Sequence, residues 1–361
     1  MTPRRILMIK SHSMGVGDVL RSSAAWRVLK NKLPGVELHL LFLSKHAGYA
    51  TESLIKQHHL LSSAQFVTVR AHDPSVAHAA KVPITQLIRQ VQSIAKELQP
   101  DLIIDFEPHG MKTSLLTWMA AKACRAQTVG IAQFPVRSWF YDLCANSMPL
   151  YARAHGLQLP MDYTHRDFVA LQALGLERGD TAIELRLSAD GERFKQQLRS
   201  QLPAHLPVVG LNIGCGTQDA LIKRPSIEHL AQCMSALYQQ QPYTLVLSGA
   251  HFEKDVNQAF TQALQQIMPH PPIIFDMAGQ TSLPESAGLI DACDLFITTD
   301  SGPYHMAVGL RRPTLVWFTY AETTSFHEHT WVRRVIQPTE AEFVSSASEL
   351  EWQISRSGLH S

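Results

Sequence analysis

Runs of aliphatic residues recur along the chain with little polar interruption, and longer stretches of helical period separate them. In the first half ILMIK, VELHLLFL, FVTVR, DLIIDF and QTVGIA read as buried strands, and SSAAWRVLKNKL and ITQLIRQVQSIAKELQ as helices. The second half repeats the rhythm: PVVGLNIG, TLVLSGA, IIFDMAG, LFITT and PTLVWF are strands, and IEHLAQCMSALYQQ and EKDVNQAFTQALQQ are helices. A strand that is apolar at every position needs cover on both faces, which crossover helices on a parallel sheet supply. The pattern therefore predicts an α/β chain of two Rossmann-like domains. Between Gly175 and Pro207 the sequence turns polar around one charged helix, which sets the domains at residues 1–185 and 186–338. Thr339 to Glu342 has capping-box spacing and opens a last helix to about Ile354. That segment, 339–361, is expected to pack back on the N-terminal domain.

The 361 residues are 45% hydrophobic and 17% charged, a balance typical of a soluble globular chain long enough for two domains. A net charge of +1 disfavours nucleic acid as a partner, because that role needs a clustered cationic surface. Five scattered cysteines, an odd number without close spacing, suit a reducing compartment better than a disulfide framework. With no signal-like leader and no apolar span of membrane length, the expected location is cytoplasmic.

Three segments carry candidate chemistry. In IKSHSMGVGDVLRSSAAW a strand passes through Gly15 and Gly17 to Asp18 at the start of a helix. Asp18 is either a cap for that helix or a base held at the mouth of a cleft. In DLFITTDSGPYHMAVGLRRPTLVWF a strand ends at Asp300, and Ser301, Gly302 and Pro303 open a helix with His305 one turn in. Free N–H groups and the helix dipole favour an anion such as a diphosphate there, although Asp300 and Ser301 could equally be caps alone. In GLNIGCGTQDALIKRPSIEHLAQ the small residues Gly214, Gly216 and Thr217 precede Lys223 and Arg224, a further phosphate-friendly strand end. The GxxxxGK[ST] spacing is absent, which argues against a nucleoside triphosphatase.

TTDSGPYHMAVGLRRPTLVWF closely resembles the C-terminal motif of the bacterial heptosyltransferase-type family of inverting glycosyltransferases, an Asp-[Ser/Thr]-Gly-x-x-His run before a small-residue helix and a Pro-Thr strand. ILMIKSHSMGVGDVLRSSAA, DFEPHGMKTSLLTWMAAKACRAQTVGI and residues 207–230 resemble that family's opening strand, alanine-rich helix and lysine loop in the same order. The resemblance implies a GT-B fold, two facing Rossmann-like domains that hold the acceptor on the N-terminal side and the sugar nucleotide on the C-terminal side. It implies Asp18 as catalytic base at an interdomain cleft, with hinge closure during turnover. The donor would be held by Gly216, Thr217 and Lys223 at the diphosphate, by Asp300, Ser301 and Gly302 at the nucleotide and phosphates, and by His305. Glu253 would hold the ribose. Arg21 and Lys112 are the candidates for an anionic acceptor, or else members of a solvated helix face.

The resemblance further implies a nucleotide-diphosphate sugar as donor, ADP-heptose above all, and no cofactor or metal. The acceptor would be a lipopolysaccharide-core or other cell-surface glycan or glycolipid, met with peripheral contact at the cytoplasmic face of the inner membrane. Two departures bear on substrate: the glycine-bearing loop before Asp18 is longer than usual, and Arg-Pro follows Lys223 where an aromatic residue is common. The alternatives are a nucleotide-sugar epimerase of the same architecture, which lacks an evident acid–base pair here, and a non-catalytic sugar-nucleotide binding protein. His58-His59 and His327-Glu328-His329 complete no metal-ligand pattern and are expected at the surface.

Overall fold

The computed structural model describes residues 3–11, 15–56, 58–70, 80–145, 147–158, 161–162, 164–214, 218–320 and 326–352. The chain divides into two compact units, Met1–Ile183 and Glu184–Ser361.

In the first unit the order is β1 (Arg5–Ser11), α1 (Val16–Leu20), α2 (Ser22–Lys32), β2 (Glu37–Ser44), α3 (Thr51–Ile55), β3 (Ser63–Thr68), α4 (Ile84–Leu98), β4 (Leu102–Asp105), α5 (Met111–Cys124) and β5 (Gln127–Ile131). A 3₁₀ turn (Pro135–Phe140), β6 (Leu143–Ala145), α6 (Met148–Ala154) and α7 (His165–Gln172) follow. The six strands are parallel in the order β3-β2-β1-β4-β5-β6. Successive side chains alternate between faces, so the apolar runs feed two cores. Ile6 and Met8 of β1 pack with Trp26 and Leu29 of α2 and Phe168 of α7. Leu7 and Ile9 pack with Leu87 and Val91 of α4 and Leu116 of α5. The same alternation puts Lys10, wholly buried, on the α2 and α7 side.

The second unit repeats the design with α8 (Ala189–Gln201), β7 (Val208–Asn212), α9 (Ile227–Gln240), β8 (Thr244–Ser248), α10 (Lys254–Ile267), β9 (Ile274–Asp276), α11 (Leu283–Asp291), β10 (Leu295–Thr299), α12 (Gly302–Gly309), β11 (Thr314–Phe318), β12 (Val332–Ile336) and α13 (Glu340–Ser348). Its parallel strands run β12-β11-β10-β7-β8-β9, the first unit's order again. Helices α8 and α11 cross closely at Gly191 and Gly288, where a Cβ on Gly288 would stand 2.2 Å from the Gly191 carbonyl oxygen.

Two edge strands, β6 and β12, are absent from the sequence expectation: one has three residues, the other carries Arg333 and Arg334. The last helix has the expected capping box at Thr339 but ends at Ser348. Expected to pack back on the N-terminal domain, it belongs to the second unit instead. Phe343, Ala347, Leu350 and Trp352 sink into the second unit's own core with Leu237 and Trp317. Nor are His58 and His327 surface residues: both are buried, His58 edge-on to the Trp26 ring at 5.1 Å. No helix among the described residues is long and apolar enough to cross a membrane.

Candidate active site

In the first unit the chain builds outward from β1 to β2 and β3, then returns to place β4 on the other side of β1. At such a switch point the loops after the two central strands diverge and leave a crevice at their C-terminal ends. Here it is a cavity of about 310 Å³ lined by Ser11, Asp18, Arg21, Glu107, His109 and Lys112 among others, with Arg166 from α7.

Asp18 is the third residue of α1 rather than its cap. Gly15 occupies that position with φ of +95°, which a side chain would strain, and no side chain caps the helix. The Asp18 carboxylate is buried, and Arg21, one turn on, donates to its Oδ1 through Nη1. Arg21 Nε donates in turn to Asp167 Oδ1 at 3.0 Å, Lys10 Nζ lies 3.3 Å from the same oxygen, and Ser22 Oγ donates to Oδ2. Lys10 Nζ also lies 3.9 Å from Glu107 Oε1, which accepts the Ser11 N–H at 2.9 Å. Burial alone would raise Asp167; the Arg21 and Lys10 charges and the Ser22 hydroxyl outweigh it and hold the carboxyl below its usual value. Burial, then the Arg166 and Arg137 charges, push His109 down, toward the neutral ring.

The second unit has its switch point between β7 and β10. Asp300 follows β10, and Lys223 closes a 3₁₀ turn, Gln218–Lys223, after β7. Lys223 Nζ donates to Asp300 Oδ2 at 2.7 Å and to its carbonyl at 3.3 Å, and Tyr320 Oη donates to the same carboxylate at 3.1 Å. Ser301 precedes α12, yet its hydroxyl donates to Thr299 O and Asn212 Oδ1 and caps no helical N–H. Gly302 opens the helix, so its first turn keeps backbone donors unclaimed by a side-chain cap. His305 is buried on α12 with Nδ1 2.9 Å from His327 Nε2, and the His327 N–H donates to Tyr304 Oη. Glu253 is buried, its Oε2 accepting the Ala250 N–H at 2.6 Å. Its Oε1 stands 1.4 Å from where Gly214 would carry a Cβ, so only glycine fits there.

The structure thus gathers Asp18, Arg21 and Lys112 around one cavity, and Lys223, Asp300, Ser301 and Gly302 at the ends of two adjacent strands. Arg21 is not the solvated helix residue it could have been; it is buried against Asp18 and Asp167. Gly216 and Thr217 lie outside the described residues. Sequence reading missed Lys10, Glu107, His109, Arg166, Asp167 and Tyr320. Tyr320 had a signal, being polar-tipped and two residues past a strand end; Lys10 was the odd charge in an apolar strand.

The model of glycosyltransferase family 9 (heptosyltransferase) matches residues 88–343. The chain belongs to that family. It is 28% identical over 127 residues to lipooligosaccharide heptosyltransferase 2 of Haemophilus influenzae, covering 35% of each chain. It is 25% identical over 263 residues to lipopolysaccharide heptosyltransferase 3 of Escherichia coli, covering 69% of this chain and 68% of the relative. The match thus spans about a third of the first relative's length and two thirds of the second's. Among solved structures, a family 9 glycosyl transferase from Veillonella parvula aligns with a TM-score of 0.72 at 17% identity, over 96% of this chain and 97% of that one. E. coli ADP-heptose lps heptosyltransferase II aligns at 0.67 and 17%, over 96% and 98%. Two parallel six-stranded sheets flanked by helices give this family 9 chain the α/β architecture of GT-B glycosyltransferases.

Proposed function

We propose that the protein is an inverting, metal-independent glycosyltransferase that moves a heptose from ADP-heptose to a lipopolysaccharide-core acceptor in the cytoplasm. The observation that carries this reading is the buried Asp18 carboxylate, fixed by Arg21 in the wall of a cavity that also presents Lys112 and Arg166. In this reading the acceptor hydroxyl donates its proton to Asp18 as its oxygen attacks the anomeric carbon. The bond from that carbon to the diphosphate breaks on the opposite face, so the configuration inverts and ADP leaves. When Asp18 takes the proton its attraction for Arg21 falls, and Asp167 keeps the guanidinium in place through Nε. Lys112 and Arg166 match an anionic acceptor such as a phosphorylated or carboxylated core sugar.

The departing diphosphate calls for positive charge on the donor side. Lys223 supplies it, leaving Asp300 for the phosphates while Tyr320 retains the carboxylate, and the first turn of α12 offers backbone N–H groups. Glu253, Ser301 and His305 complete the donor assignment, with Gly216 and Thr217 proposed from sequence alone. The test is incubation with ADP-heptose and a heptose-deficient core oligosaccharide. Release of ADP with one added heptose of inverted anomeric configuration, read by mass spectrometry and NMR, is the expected result; a retained configuration or an unmodified acceptor rejects the proposal.

A further inference from the structure

Six large apolar side chains between residues 111 and 150 stand in solvent, with Trp139 81%, Phe134 52% and Val136 41% exposed. Phe134, Val136 and Trp139 belong to the 3₁₀ turn Pro135–Phe140 and its leading residue; positions three apart eclipse in such a turn, so Val136 and Trp139 share an outer face. This edge is held rigidly. Arg137, wholly buried between them, donates to the carbonyls of Ile131, Gly110 and Glu107, to Asp105 and to the Tyr141 hydroxyl. Gly130 leaves room for the Tyr141 ring, whose Cζ would lie 2.2 Å from a Cβ there. A fold that fastens a turn this firmly while its neighbours on either side present a tryptophan, a valine and a phenylalanine to water has a use for that face.

Its charge identifies the use. Residues 108–158 hold four exposed basic side chains, Lys112, Lys122, Arg125 and Arg153, and one exposed acid, Asp142, in a chain whose net charge is only +1. The Asp142 carboxylate accepts the Thr128 N–H at 2.8 Å and its hydroxyl at 2.9 Å. Trp139 shares a cleft of about 330 Å³ with Trp118, Lys122 and Arg125, and the Lys122 ammonium lies 5.6 Å from the Trp118 ring centre. On the other side the Phe134 ring stands 6.2 Å from that of His109, which lines the Asp18 cavity. Aromatic residues ringed by lysine and arginine are the composition that seats a protein in the headgroup layer of an anionic bilayer.

We propose that this face of the first unit docks on an anionic membrane surface: Val136, Trp139 and Phe134 enter the headgroup–acyl boundary, and Lys122 and Arg125 meet lipid phosphates. Docking there brings the Asp18 cavity beside the headgroups, where a lipid-anchored acceptor presents its sugars; the purpose, though not the contact, rests on the proposed function.

The experiment is sedimentation of the full chain with vesicles of phosphatidylcholine alone and of phosphatidylcholine with phosphatidylglycerol. Binding to the anionic vesicles, weakened by salt, is expected, and Val136→Ser/Trp139→Ser and Lys122→Glu/Arg125→Glu each lower the bound fraction at least ~10-fold. Both pairs are replaced at the surface, so unfolding temperatures stay near wild type, and transfer to a soluble core oligosaccharide is kept while transfer to a vesicle-borne acceptor falls. Wild-type protein that ignores anionic vesicles, or variants that bind as well as wild type, overturn the proposal. So does a wild-type dimer that Trp139→Ser dissociates without any vesicle binding, since the face would then join two copies. Vesicle binding lost in the variants but no transfer to either acceptor upholds the docking face and rejects the transferase reading instead.

Discussion

The two units have the same strand order, and each has its own switch point, yet the loops there carry opposite chemistry. In the first, β1, the α1–α2 segment and α7 bring carboxylates and cations into a buried chain, Lys10 to Asp167 to Arg21 to Asp18, with the Asp167 carboxyl held below its usual value. In the second, the loops after β7 and β10 offer small residues, a helix start and one lysine, 32% exposed, on one aspartate. A dry ion network cannot easily rearrange, because each partner removed strands a charge. A buried carboxylate whose lysine partner is part-exposed can exchange that partner for a ligand. The first unit's strand ends are therefore suited to holding one group in a fixed place, and the second unit's to capturing and releasing an anion.

The largest effect should come from breaking the buried network. Asp167→Ala leaves Lys10 and Arg21 without their common carboxylate and should cost about 3–5 kcal/mol of stability by urea unfolding; a loss below 1 kcal/mol would show that the network is not dry. In the second unit, Lys223→Ala and Asp300→Ala should each weaken ADP binding by roughly 1.5–3 kcal/mol in calorimetry, with little change in unfolding. Unchanged affinity in both removes the donor assignment.

A subtler contrast lies within the first unit, where Asp105 and Asp167 are both fully buried but shift in opposite directions. Burial raises Asp105 to about 6 against the pull of Arg137, Tyr141 and the Glu107 N–H. Its folded form keeps a proton that the unfolded chain releases near 3.8. Its contribution is thus whole below that value and fades as pH rises through about 6. Asp167 does the reverse: its contribution stands above 3.8 and is lost only as pH falls through its lower folded value. Asp105→Asn should flatten the decline between about pH 4 and 6 by roughly 2 kcal/mol; an unaltered slope would place the proton elsewhere. The smallest effect is expected from EDTA, which should leave turnover unchanged, whereas loss restored by a divalent cation would contradict a lysine and helix N–H groups as the diphosphate's partners.

Much of this division was legible in sequence. Among the described residues, apolar runs located ten of the twelve strands: the eight central ones because parallel strands bury both faces, and the edges β3 and β9 because they too carry an apolar run; β6 and β12 escaped because edge strands can be short or charged. Asp18, Lys223 and Asp300 stood out beside glycines at strand ends. Asp167 did not, since it is 146 residues from Arg21 and only the packing of α7 on α2 brings them together. His58 and His327 were misplaced for a related reason: a histidine's burial depends on distant neighbours, here Trp26 and His305. The outward face of the Pro135–Phe140 turn was not legible, because only the burial of Arg137 against Asp105, Tyr141 and three backbone carbonyls turns Trp139 to solvent.

The division of labour is tested most directly by Asp18→Asn, assayed for ADP affinity and for heptosyl transfer in the same preparation. Asparagine keeps the shape and can still accept from Arg21, but it takes up no proton at neutral pH. The account predicts ADP binding within error of wild type and transfer lowered at least ~10²-fold. Transfer near the wild-type rate would contradict it and leave the Asp18 network a structural feature of the first unit.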